Sequence, residues 1–146
     1  MIALLDINVL IALAWPAHLH HDAAHAWFGQ KHQQGWATCP TTQVGFIRVS
    51  TTPAAVKVIV GVAEAFQMLE KSMSSPHHHF WPQAKSLAHM NPTLKGRVMG
   101  PKQLGDAFLL QVALENGGVL ATLDQRIPDL LPAKSPLRNS VEVLPI

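Results

Sequence analysis

Apolar positions along the chain fall into two spacings. Ala3-Leu4-Leu5, Trp36-Ala37-Thr38, Val119-Leu120-Ala121-Thr122 and Val141-Glu142-Val143-Leu144 are short runs with few polar breaks, which predicts brief strands buried on both faces. Phe80-Trp81-Pro82 reads as an edge strand, where a proline is tolerated. Between these runs, apolar residues return every three or four positions. The spacing predicts helices over Val9 to about Trp15, His20 to Lys31, Thr41 to Val49, Val62 to Met73, and from Gly105-Asp106 to about Asn116. Pro16, Gly35, Pro53 and Gly117-Gly118 punctuate them, and Gln83 to Leu104 carries only a weak pattern. No Asn-Gly hairpin signal joins successive strands. Alternating strands and helices therefore predict an α/β fold with a mainly parallel sheet covered on both faces.

Length and composition narrow this further. At 146 residues with no internal repeat or long linker, the chain is expected to form a single domain over residues 1–146. Only 14% of residues are charged and 48% are hydrophobic, which excludes disorder. A single cysteine excludes a disulfide scaffold or a multi-thiolate metal site. The N-terminus lacks a basic start and Asp6 interrupts its apolar run, so neither a signal peptide nor a spanning helix is expected, and the chain is expected to be cytoplasmic with no membrane contact.

The acids carry the candidate chemistry. In a parallel α/β sheet, ligands gather beyond the carboxyl ends of the strands. Asp6 follows the first strand, Asp124 follows the Val119–Thr122 strand, and Asp106 opens the helix that feeds the latter. If the two strands are neighbours, three carboxylates converge, with Asn8 and Thr122 able to add neutral oxygens. Such a cluster suits a hard divalent cation, which relieves the mutual repulsion, activates water and offsets charge on a phosphodiester. Taken singly, each of these aspartates is also what a helix start favours as a cap.

The residues Leu4-Leu5-Asp6-Ile7-Asn8-Val9-Leu10-Ile11-Ala12-Leu13 resemble the opening of PIN-domain ribonucleases of the VapC toxin family. The likeness continues through Trp36-Ala37-Thr38-Cys39-Pro40, Thr42 to Pro53, Phe80-Trp81-Pro82, Gly105-Asp106-Ala107-Phe108, and Gly117-Gly118-Val119-Leu120-Ala121-Thr122-Leu123-Asp124. It runs in order over nearly the whole chain. The resemblance implies a Rossmann-like α/β/α sandwich, a Mg²⁺ or Mn²⁺ site at Asp6, Asp106 and Asp124, and RNA hydrolysis leaving 5′-phosphate and 3′-hydroxyl ends. It further implies the toxin half of a type II toxin–antitoxin pair, a VapB-like antitoxin and a homodimer.

Many family members carry a glutamate in the third helix, where this chain has Thr42-Gln43-Val44-Gly45. The Gln43 carbonyl can accept from a metal-bound water but adds no charge, which favours one firmly held ion over two. Arg48 in the same helix is either a phosphate contact through its planar fork or an exposed helix-end charge. The missing acid also leaves open a degenerate, non-catalytic module that binds RNA or a protein.

Rival chemistries fit less well. His21 and His25 are spaced i, i+4 and His77-His78-His79 are consecutive, but neither group has the third ligand of a hydrolytic zinc site. An aspartyl phosphatase needs Asp-x-Asp, and this chain has Asp6-Ile7-Asn8. Net charge is +2, which advertises no nucleic-acid partner by bulk electrostatics. Setting the three candidate aspartates aside leaves six acids against eleven bases, a net +5 on the rest of the molecule that suits a phosphate backbone.

Overall fold

Five short parallel strands organise the computed structural model, which describes residues 1–146. They are β1 (Ala3–Leu5), β2 (Trp36–Thr38), β3 (His78–Phe80), β4 (Val119–Thr122) and β5 (Val141–Val143), in the sheet order β3-β2-β1-β4-β5. The helices are α1 (Ile7–Ala14), α2 (His21–Lys31), α3 (Pro40–Ser50), α4 (Pro53–Val56), α5 (Val62–Met73), α6 (Pro92–Arg97) and α7 (Pro101–Glu115), with four 3₁₀ turns between elements. None is long and apolar enough to cross a membrane.

Alternation along the strands separates two cores. Ala3, Leu5, Val119 and Ala121 point to one face, where they pack with α1, α2, α3 and α5. Leu4, Ala37 and Leu120 point to the other, against Leu94 of α6 and Leu109, Leu110 and Val112 of α7. The three central strands β1, β2 and β4 are buried on both faces because helices cover both, which is why their sequences read as continuous apolar runs. The edge strands differ: β5, expected to be buried, is only half-buried, and β3 is largely exposed. This is the expected α/β/α sandwich.

Strand order fixes where a site can form. The chain leaves β1 toward β2 on one side, and β4 lies on the other, so the order of winding reverses between β1 and β4. Their register pairs Ala3 with Val119, Leu4 with Leu120 and Leu5 with Ala121. The next residue on each strand is therefore Asp6 opposite Thr122, at the carboxyl ends.

Several boundaries differ from the sequence expectation. The edge strand is His78–Phe80, not Phe80–Pro82. Trp81 still donates its backbone N–H to Thr38 at 2.8 Å, but its ring turns inward and is buried beneath Gly118. Pro82 has no N–H with which to extend the ladder. The late helix begins at Pro101, not at Gly105-Asp106, because Gly100 is extended and Pro101 is preset for a first helical turn. Asp106 thus lies in the second turn and caps nothing. The weakly patterned stretch before it contains α6, whose start is capped by the Asn91 side chain accepting from Thr93 N–H at 2.9 Å.

Candidate active site

Asp6 ends β1 and caps α1. Its backbone N–H donates to Ala121 O at 2.9 Å, continuing the β1–β4 ladder, and its Oδ1 accepts from Ile7 N–H at 2.7 Å. Its Oδ2 accepts from the Thr122 hydroxyl at 2.7 Å. Only 6% of Asp6 is exposed, so its carboxylate has lost most of its hydration. Burial pushes its pKa upward, and the Asp124 charge adds to this, while the bonds from Thr122, Ile7 and Asn8 pull it down.

Thr122 and Asn8 hold this arrangement together. The Thr122 hydroxyl donates to Asp6 and accepts from Asn8 Nδ2 at 3.2 Å and from Asp124 N–H at 3.0 Å. Its one hydrogen and two lone pairs are then all committed. Asn8 Oδ1 in turn accepts from Leu123 N–H at 3.1 Å. The structure thus uses these two neutral side chains to tie the start of α1 to the end of β4, where the sequence suggested added ligand oxygens.

Asp106 comes from the opposite layer, on α7, and is half-buried. It has no side-chain hydrogen bond in the structure. Desolvation raises its pKa to about 6, reinforced by the charges of Asp6 and Asp124 and opposed by Arg126. Three carboxylates from β1, α7 and the loop after β4 therefore act on one another. Asp124 differs from the other two: its pKa lies below the ordinary value, chiefly because the Arg126 guanidinium hydrogen-bonds to it.

A hard divalent cation suits these donors. All are oxygens, Asp106 carries an unpartnered carboxylate beside two others, and a magnesium-like ion needs only one or two carboxylates with waters completing its shell. In this conformation no three acid, imidazole or thiol groups close in as a ready cage. Asp124 faces Arg126 instead, with Nε–Oδ1 at 3.0 Å and Nη2–Oδ2 at 2.9 Å. Arg126 is the site residue the sequence reading missed. Its only advance signal is its place two residues beyond Asp124, where an Asx turn brings its N–H to Oδ1 at 2.9 Å.

The remaining candidates lie further out. Gln43 sits beside β2, donating from Nε2 to Thr38 Oγ1 at 3.0 Å and to Met73 Sδ at 3.4 Å. Thr38 lies opposite Leu5 in the register, one strand over from Asp6. Arg48 is exposed in the last turn of α3, about 7.5 Å along the axis from Gln43 and rotated away from it. The histidines have local work: His21 Nδ1 and His25 Nε2 donate to the carbonyls of Ala12 and Leu13 at 2.7 and 2.8 Å, at the end of α1. His78 Nε2 is 2.8 Å from Thr38 Oγ1.

No protein-family model matches the chain. Among curated proteins, Ribonuclease VapC39 of Mycobacterium tuberculosis is 39% identical over 129 residues, 88% of this chain and 93% of its own. Ribonuclease VapC38 of the same organism is 38% identical over 144 residues, 99% of both chains. Ribonuclease VapC44, again of that organism, is 39% identical over 127 residues, 87% of this chain and 89% of its own.

Proposed function

Because the chain belongs to the VapC ribonuclease family, we propose that it is the toxin of a toxin–antitoxin pair and a Mg²⁺- or Mn²⁺-dependent endoribonuclease acting in the cytoplasm. The observation that supports the metal-dependent reading is that Asp6 and Asp124 follow neighbouring strands β1 and β4 at their carboxyl ends, with Asp106 of α7 near enough for their charges to help raise its pKa to about 6.

In this reading Asp6, Asp106 and Asp124 would hold the cation. A bound divalent ion would polarise water and a phosphodiester oxygen and offset the charge of the transition state. Thr122 keeps Asp6 Oδ2 fixed, while Ile7 N–H fixes Oδ1, so the carboxylate keeps one orientation at the strand end. Addition of water to phosphorus would break the P–O3′ bond, with the proton given up by water passing to solvent and O3′ taking one from solvent, so that the products would be a 5′-phosphate and a 3′-hydroxyl. Gln43, one strand over from Asp6 beside Thr38, would contact bound water, whereas Arg48, exposed and rotated away from Gln43 on α3, is left as a helix-end charge.

Its partners in this reading are RNA, a VapB-type antitoxin and a second copy of the chain. The exposed apolar side chains of Val58, Ile59, Val62 and Phe66 support a protein contact around the start of α5.

The test is inducible expression with sequencing of new RNA 5′ ends, comparing the native chain with Asp6→Asn, and cleavage in vitro with and without chelator. Growth arrest, new 5′-phosphate ends and chelator sensitivity, all lost in Asp6→Asn, are expected. No arrest and no new ends from the native chain would favour a non-catalytic module.

A further inference from the structure

Arg126 is exposed, with 88% of its side chain in solvent, yet it occupies both oxygens of Asp124. Oδ1 receives the Arg126 N–H as well as Nε, which fills its two lone pairs; Oδ2 receives Nη2 and has one left. The same guanidinium lies close enough to draw on the charge of Asp106. Nothing else fastens Arg126: its side chain has no hydrogen-bond partner besides Asp124 and no burial to hold it.

We propose that Arg126 is an exchangeable internal counter-ion, which a divalent cation displaces from Asp124 and which then takes a phosphate of the bound strand. The inference rests on the metal-dependent reading of the site and adds a positioning residue to it. In this conformation the three acids form no cage, and Arg126 takes three of the four lone pairs of Asp124, one through its backbone N–H and two through its guanidinium. Asp124 cannot give its full set of lone pairs to the guanidinium and to a cation together. An exposed ion pair is weak and reversible, so a divalent cation can displace it. Once released, the planar fork sits at the mouth of the site as an unpaired cation, in a form suited to bidentate phosphate contact. While paired, its charge is cancelled and it offers little to a polyanion.

Two measurements test this on the full chain. Mn²⁺ binding without nucleic acid is followed by electron paramagnetic resonance for the native chain, Arg126→Gln, Arg126→Lys and Asp6→Asn. Loss of an exposed competitor should tighten Mn²⁺ binding about threefold in Arg126→Gln, with Arg126→Lys nearer the native value. Binding of mixed-sequence single-stranded DNA, which offers the same phosphates, is then measured against salt by fluorescence anisotropy. With Mn²⁺ present, Arg126→Gln should lose about 0.7 from the slope of log K against log salt, one phosphate contact; without Mn²⁺ the slope should not change.

Unchanged or weaker Mn²⁺ binding in Arg126→Gln overturns the proposal, as does a slope loss that is the same with and without Mn²⁺. The metal-dependent reading fails separately, if the native chain binds no Mn²⁺ or Asp6→Asn binds it equally well. With most of the Arg126 side chain in solvent and only Asp124 as its partner, its replacement is expected to leave the fold intact, and a circular-dichroism melt checks this.

Discussion

Thr122 donates its hydroxyl hydrogen to Asp6 Oδ2 at 2.7 Å, although 116 positions separate the two residues. The contact follows from register. Leu5 pairs with Ala121, so the next residue on each parallel strand meets its counterpart. A short-range feature of the sheet thus places a hydroxyl against the most buried of the three acids. It also joins β1 to β4 where the winding reverses, and ligands of open α/β sheets gather there.

Replacing Thr122 tests how much that hydroxyl does. Thr122→Val keeps the volume and removes the donor, leaving a buried carboxylate with one partner fewer. The expected destabilisation is about 1.5–3 kcal/mol, the range for hydrogen bonds to charged groups, measured by urea unfolding. Asp6 should also become harder to ionise, so the rising limb of the pH–rate profile should move to higher pH. Thr122→Ser should restore both. Equal stability and an unshifted profile in Thr122→Val would mean that the hydroxyl does not control Asp6.

Asp106 predicts a pH dependence of opposite sign to the usual carboxylate. Its folded pKa, about 6, lies above the ordinary 3.8, so the folded chain holds the proton more tightly than the unfolded chain does. That contribution is fully present below pH 3.8 and is lost as pH rises toward 6. Asp124, shifted downward, gives stability that is lost only as pH falls below the ordinary carboxylate range. His18 and His78, also lowered, act in the opposite sense to Asp106 near neutrality, so the comparison must be a difference between variants. In chelator, the melting temperature of native chain minus that of Asp106→Asn should fall between pH 4 and 6. Saturating Mg²⁺ at pH 7 should reverse the deficit in the native chain alone. A flat difference curve would remove the electrostatic case for a cation here.

Much of this was legible beforehand, and for physical reasons. Strands buried on both faces read as unbroken apolar runs, so Ala3–Leu5 and Val119–Thr122 declared themselves, and the acids directly after them followed. The start of α7 was not legible, because Pro101-Lys102-Gln103-Leu104 offers a single apolar residue while Gly105 looks like a boundary. Reading Asp106 as a cap followed from that misplaced start. Arg126 was overlooked because a two-residue spacing in a loop has no periodicity to flag it. Trp81 was obscured differently: its backbone continues the strand pairing, but its ring is drawn into the core beneath Gly118.

The paired histidines at the end of α1 should behave as helix-ending donors. That helix has no basic residue in its last turn, and His21 and His25 supply N–H groups to the carbonyls of Ala12 and Leu13. His21→Ala should cost about 1 kcal/mol in urea unfolding. The double replacement with His25→Ala should fall short of additivity, since the two rings lie 4.4 Å apart and share one helix end. Native protein purified without chelator should contain no stoichiometric zinc by elemental analysis. One zinc per chain, lost in His21→Ala, would reinstate a zinc site there.

Gly45 links helix packing to the acid. A Cβ built at this position would overlap the Ile7 side chain, so α3 approaches α1 through the gap that glycine leaves. Ile7 is also the residue whose N–H holds Asp6 Oδ1 at 2.7 Å. Gly45→Ala gains helix propensity of about 1 kcal/mol, but overpacking against Ile7 costs about 1–3 kcal/mol. Overpacking should win, and relief by pushing α1 outward would disturb Asp6 as well. Gly45→Ala is therefore expected to lower stability and to weaken Mn²⁺ binding together. Adding Ile7→Val trims the colliding side chain and should recover most of both losses, a coupling that a double-mutant cycle measures directly. If Gly45→Ala raises stability and leaves Mn²⁺ affinity untouched, the two helices have slack between them and Asp6 is held independently of their packing.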